Sequence, residues 1–66
     1  MDDIKTRMAA AAQAEEQGQY REAAHLYSRL GKDIQAQCGR FDSRALDAFE
    51  GVSRAIRKGA EASGSA

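Results

Sequence analysis

Few residues of this chain combine a reactive side chain with a spacing that suggests chemistry. His25 is the single histidine, and no cysteine, second histidine or paired carboxylate lies near it at the spacing of metal ligands. The sequence also contains no serine, histidine and aspartate set that helices would bring together, and no glycine-rich loop for a phosphate. We therefore expect a surface histidine, no metal or cofactor, and a protein that is not an enzyme.

The single cysteine, Cys38, excludes an internal disulfide framework. A lone thiol is typical of proteins that work in a reducing cytosol. We expect the Cys38 side chain to be buried as a small apolar group, because free cysteine behaves in this way in most proteins. A disulfide between two subunits is the alternative.

The charges of the chain balance, with ten acidic and ten basic side chains. The protein therefore lacks the overall positive field that drives sequence-independent binding to nucleic acid phosphates. Arg54, Arg57 and Lys58 form a basic group late in the third predicted helix, where positive charge complements the helix dipole. Contact with nucleic acid or with an acidic partner is the alternative role for these three residues.

The elements that position these side chains are three predicted helices, near 3–17, 20–38 and 43–59. The stretch 15–34 organises the others, since it holds a helix end, a helix start and the richest apolar face. Gly18 and Gly39 are typical of residues that end helices, and Asp2 or Asp3 can cap the first helix. Asp42 can cap the third, with Phe41 packing on Leu46 as a hydrophobic staple. We expect one domain over 1–58 and a flexible tail over 59–66.

The second helix carries a wider apolar stripe than the first helix can cover. Gly31 lies within that stripe, and a mid-helix glycine indicates a close helix crossing. Because 66 residues bury little apolar surface, we expect a second copy, in a two-fold homodimer, or another partner to cover the remainder. The residues expected to form this core and binding surface are Tyr20, Leu26, Tyr27, Leu30, Ile34, Phe49, Val52 and Ile56. The predicted fold class is thus an all-α three-helix hairpin or bundle that dimerisation completes.

Two resemblances concern the central stretch. Gly18, Tyr20, Ala23 and Tyr27 have the spacing of the turn and second helix of a tetratricopeptide repeat, which also occurs in the microtubule-interacting-and-transport domain. No second copy follows, so this similarity implies at most one helical hairpin that presents a groove.

The second resemblance covers about residues 8 to 57. The pattern A-A-x-x-E-x-x-G-x-Y-x-x-A-A-x-L-Y is similar to the small bacterial ANR family, the AraC negative regulators, and to the PerC-like regulators. Its residues are Ala11, Ala12, Glu15, Gly18, Tyr20, Ala23, Ala24, Leu26 and Tyr27. The chain departs from the family pattern at Tyr27, which replaces a tryptophan, and at Leu46 and Phe49 in the third helix. The resemblance implies a short helical protein that binds a transcriptional activator.

Two classes of function follow as expectations. The first is a small regulator, of the kind encoded by mobile elements or phages, that inhibits or sequesters a larger protein. The second is a self-associating structural adaptor. Direct DNA binding through the late basic group is a third alternative. No apolar run approaches the roughly 18 residues of a membrane span, and Asp2 and Asp3 stand where a secretory signal carries positive charge. We expect a soluble, cytoplasmic protein.

Overall fold

The chain folds into three α-helices joined by two short turns, as the sequence predicts. The structure is a computed structural model and describes residues 3–64. The helices are α1 (Asp3–Glu16), α2 (Tyr20–Cys38) and α3 (Ser43–Gly64), and the described residues contain no strand. Both α1 and α3 pack on α2, and they meet each other less extensively. The all-α prediction is therefore confirmed, with α2 as the central helix. Asp2, one of the two predicted caps of α1, lies outside the described residues.

The turn between α1 and α2 is built around Gly18. Its φ of 82° lies in the left-handed region, where the backbone of a residue with a side chain would be strained. The Gly18 amide donates to the carbonyl of Glu15 at 3.1 Å, and the Gln19 amide donates to the carbonyl of Ala14 at 2.9 Å. These two bonds are the Schellman arrangement, which satisfies the last carbonyls of α1. The predicted helix end at Gly18 is confirmed.

The turn between α2 and α3 combines a glycine with a carboxylate cap. Gly39 has a φ of 110° and ends α2, and Asp42 Oδ1 accepts the backbone amide of Arg44 at 2.8 Å. This bond satisfies an amide of the first turn of α3, so the predicted cap is confirmed. The Arg44 side chain also binds Asp42, and this bonding holds the pKa of the Asp42 carboxyl below its usual range. The predicted staple is wrong, because Phe41 is 84 % exposed and packs on little of the protein.

Helix α3 continues to Gly64, beyond the end expected near position 59. Gly59 does not end the helix; a Cβ atom built on it would lie 3.2 Å from Cβ of Tyr20. Its missing side chain therefore allows α2 and α3 to approach closely. The following Ala60, Glu61 and Ala62 have good helix propensity, which favours continuation. Residues 59–64, which the sequence assigned to a flexible tail, thus form the last turns of α3.

Aromatic rings of α2 and α3 lie over glycines of the opposite helix. A Cβ atom on Gly31 would lie 2.8 Å from the Phe49 ring, and one on Gly51 would lie 2.7 Å from the Tyr27 ring. The Phe49 ring of α3 thus fills the space above Gly31 of α2, and the Tyr27 ring of α2 fills the space above Gly51 of α3. The close crossing predicted from Gly31 is confirmed, and Gly51 provides a second one.

The core contains mostly small residues. Two clusters run along the helices: one lies around Tyr27, and the other around Leu30 and Ile34. The alanines that accompany them in the interior are Ala11, Ala14, Ala23, Ala45, Ala48 and Ala55. These thin side chains let the helices approach closely. No helix among the described residues is long and apolar enough to cross a membrane.

Candidate protein-binding site

The one buried charged side chain among the described residues belongs to Glu15, in the last turns of α1. Its residue is 8 % exposed and lies where the periodicity of α1 requires an inward-facing position. Arg54 donates from Nε to Glu15 Oε2 at 2.8 Å and from Nη2 to Oε1 at 3.1 Å. Lys58 Nζ donates to Oε2 at 2.9 Å, and the Tyr27 hydroxyl donates to Oε1 at 3.2 Å. All three helices thus meet at this carboxylate, and we call these four residues the Glu15 cluster.

The electrostatics of the Glu15 cluster favour the ionised carboxylate. The hydrogen bonds from Arg54 act most strongly and, with Lys58, outweigh the effect of burial, so the pKa of Glu15 is lowered to about 2. Burial and the adjacent negative charge of Glu15 raise the pKa of Tyr27 above its ordinary value. The two-pronged Arg54 contact is the strong geometry for guanidinium and carboxylate. The arrangement therefore stabilises the negative charge of the Glu15 carboxylate.

The Glu15 cluster therefore has a structural role. Its two cations come from α3 and its acid from α1, helices that otherwise touch little. Among the described residues, no buried side-chain nitrogen or oxygen lacks a hydrogen-bond partner. The Arg54 guanidinium also lies 5.8 Å from the centroid of the Tyr27 ring. We conclude that the cluster fixes α1 against α3 and explains why Glu15 lies on an otherwise apolar face.

A groove runs between the start of α2 and the end of α3. Its walls include half-buried Tyr20 and Leu26 and exposed Ile56, whose residue is 59 % exposed. Its other small or apolar lining residues are Gly18, Ala24, Ala55, Gly59, Ala60 and Ala62, and its polar ones are Gln19, Arg21, Glu22 and His25. We call this feature the α2–α3 groove. An apolar floor with charges at the edge is the composition of protein-binding surfaces.

The structure separates the residues predicted to form the binding surface into two groups. Tyr27, Leu30 and Ile34 are at most 3 % exposed, so they belong to the core and are not available to a partner. Leu30, in particular, packs with Ile34 and with alanines of α3. The half-buried residues of the predicted set are Tyr20, Leu26, Phe49 and Val52, and only Ile56 is exposed.

The remaining candidate residues lie on the surface. His25 is exposed at the edge of the groove, as expected. Cys38 is exposed too, which corrects the expectation of a buried thiol; it is the last residue of α2, where the following turn leaves it uncovered. The Arg44 guanidinium lies 3.3 Å from its sulfur. Arg54 and Lys58 of the predicted basic group both pair with Glu15, and their side chains remain about half exposed.

The Glu15 cluster was not among the features predicted from the sequence. The available signal was the spacing of Arg54 and Lys58, which places two cations on one face of α3. An acid on the apolar face of another helix is the natural partner for such a pair.

Comparisons with protein-family models, with curated proteins and with solved structures give no match for this chain.

Proposed function

We propose that this chain is a small, non-enzymatic regulator that binds a larger protein, such as a transcriptional activator, and inhibits or sequesters it. The single observation that supports this most directly is the α2–α3 groove, with Ile56 59 % exposed on its α3 wall. Covering a side chain of this size contributes about 1–2 kcal/mol to binding. The chain leaves this surface open although its small core needs all the apolar burial available.

The chemistry of the groove indicates the kind of partner. Tyr20, Leu26 and Ile56 provide apolar contacts, while Arg21 and Glu22 at the edge offer one charge of each sign. An amphipathic helix that presents small and apolar residues to the groove fits this pattern, in the manner of helix-in-groove recognition. The resemblance to the ANR and PerC-like regulators points to a transcriptional activator as its source, and to a bacterial or phage protein in the cytoplasm.

The alternative function is a self-associating adaptor, in which further copies of the chain are the partners. The exposed apolar residues of α3 favour this alternative as well as the first, because they extend beyond the groove to Leu46, which is 51 % exposed. The two functions differ in what the chain recovers from a bacterial lysate: a larger protein in stoichiometric amount, or only further copies of itself.

The test uses the tagged chain and two matched variants in a pull-down from bacterial lysate. Ile56→Asp places a charge in the groove, whereas Arg29→Asp places the same side chain on an exposed part of α2 outside it. We expect the parent and Arg29→Asp to retain one larger protein that Ile56→Asp loses, and we expect the purified partner to lose DNA binding when the chain is added. Recovery of only the chain itself, or equal retention by all three proteins, would contradict the proposal.

A further inference from the structure

Helix α3 carries two apolar seams rather than one broad face. The inner seam contacts α1 and α2 and consists of the small or buried residues Ala45, Ala48, Val52, Ala55 and Gly59. The outer seam consists of Leu46, Phe49, Ser53, Ile56 and Ala60. Its members are spaced by three, four, three and four residues, which is the heptad spacing of a coiled-coil seam. Leu46 is 51 % and Ile56 59 % exposed, so these two residues lack a cover in the single chain. Phe49 is half-buried, because its ring lies over Gly31 of α2.

The sizes of the outer-seam residues fit an antiparallel copy of the same seam. In antiparallel coiled coils, each position of one heptad class faces the other class across the axis. One register then places exposed Ile56 opposite Ser53 of the second copy, and half-buried Phe49 opposite Ala60. The two-fold axis repeats each pair. In both of these pairs a large side chain meets a small one, which favours a filled interface. The Ser53 hydroxyl can bond to a carbonyl of its own helix one turn earlier.

The charges beside the seam select the same register. Glu50 and Arg57 are exposed and flank the outer seam on one side, seven residues apart. The antiparallel register that matches large with small also brings Glu50 of one copy to Arg57 of the other, twice per dimer. Neither residue has an ion-pair partner in the described part of the single chain. A parallel pairing would stack Phe49 on Phe49 and leave Glu50 away from Arg57, so complementarity favours the antiparallel arrangement.

We propose that two copies of this chain associate through their outer seams, antiparallel and two-fold symmetric, with Glu50 of each copy paired with Arg57 of the other. This dimer covers Ile56 and Ala60, which also line the α2–α3 groove. Dimerisation therefore competes with the binding of any larger protein in that groove. The inference does not depend on the proposed regulatory function, since the seam would pair whatever the groove binds.

Charge reversal tests the pairing directly. Glu50→Arg and Arg57→Glu each place like charges in both pairs, and we expect either change to raise the dimer Kd by roughly tenfold. The double variant restores opposite charges and should restore the parent Kd. Mixing the two single variants should produce a heterodimer tighter than either homodimer, because both of its pairs are then opposite in sign. Sedimentation equilibrium from about 10 μM to about 500 μM, the range of weak interfaces, measures these affinities.

The controls separate dimerisation from folding. Glu61→Arg makes the same charge change on α3, one residue beyond the outer seam, and should leave the Kd unchanged. Helical circular dichroism of every variant should match the parent, because Glu50 and Arg57 are exposed. A monomer mass for the parent at all concentrations would overturn the proposal, and so would a dimer whose Kd does not respond to the reversals. If a larger protein bound the parent in the groove and no dimer formed, the dimer proposal would be rejected and the proposed regulatory function would not.

Discussion

At the scale of single residues, Glu15 shows how one carboxylate can join three helices. Its partners Arg54 and Lys58 are roughly half exposed, so part of the Coulombic attraction is screened by solvent. The bidentate geometry and the buried acid nevertheless make the contact more than a surface ion pair. Glu15 and Arg54 are 39 residues apart in sequence, so local sequence patterns could not predict that they pair.

The pKa of Glu15 gives a pH prediction. The folded pKa is about 2, below the ordinary value of 4.5, so the folded state binds its proton less readily than the unfolded state does. The stabilisation is therefore complete above about pH 5 and is lost as the pH falls from there towards 2. We expect Glu15→Gln to lower the free energy of unfolding by about 1–3 kcal/mol at pH 7 and to flatten this acid dependence.

Urea unfolding of the parent and the variant at a series of pH values measures the effect. Glu16→Gln is the matched control, since Glu16 is the neighbouring residue and is exposed. We expect that control to follow the parent curve. Identical acid dependence in the parent and in Glu15→Gln would show that the Glu15 cluster does not stabilise the fold.

At the scale of the elements, helix ends were predictable where local chemistry sets them. Gly18 and Asp42 act through their own backbone and side-chain bonds, and both predictions are confirmed. The end of α3 was not predictable in this way, because Gly59 serves a contact with Tyr20 on another helix. A glycine in a helical pattern can thus end the helix or allow a close contact with another helix, and only its tertiary neighbours distinguish the two roles.

The close crossing of α2 and α3 at Gly51 gives a prediction about packing between helices. Gly51→Ala would place a methyl group 2.7 Å from the Tyr27 ring, and Tyr27 is held by the Glu15 cluster and cannot move freely. Although alanine has the better helix propensity by about 1 kcal/mol, we expect a net destabilisation of about 1–3 kcal/mol from overpacking. Thermal unfolding followed by circular dichroism measures the change.

Ser53→Ala provides the control for helix propensity, because Ser53 is exposed on the same helix. We expect that change to leave the melting temperature of the monomer equal to or slightly above that of the parent. A Gly51→Ala protein more stable than the parent would mean that the ring moves aside, and the close crossing would then not be needed for packing.

At the scale of the whole molecule, the sequence predicts the three helices and their order but not which apolar positions become core. The alanines of α3 carry a weak hydrophobic signal, and its larger Leu46 and Ile56 carry a strong one, yet the alanines are buried and the larger residues are exposed. Close packing of three helices at glycines and alanines accounts for this inversion, because large side chains would hold the helices apart. The exposed large residues are then the candidates for contact with another chain.

The last prediction concerns Tyr27, because this residue contributes to the core, to the helix crossing and to the Glu15 cluster. It is 3 % exposed, fills the space over Gly51, and donates its hydroxyl hydrogen to Glu15. Tyr27→Ala removes a large core side chain and should lower the free energy of unfolding by about 3–5 kcal/mol. Small domains have total stabilities of only about 5–15 kcal/mol, and a chain of this length lies near the lower end. We therefore expect the variant to be substantially unfolded at 37 °C.

Companion variants divide this loss into its parts. Tyr27→Phe keeps the ring and removes one hydrogen bond, so we expect it to cost about 1 kcal/mol. Phe49→Ala should cost less than Tyr27→Ala because Phe49 is half-buried, and Ile56→Ala should cost under about 1 kcal/mol in the monomer because its side chain faces solvent. Urea midpoints measured at a low, fixed protein concentration keep any self-association out of the comparison. If Ile56→Ala proved as damaging as Tyr27→Ala under those conditions, Ile56 would be part of the core of a single chain, and both binding proposals would lose their central residue.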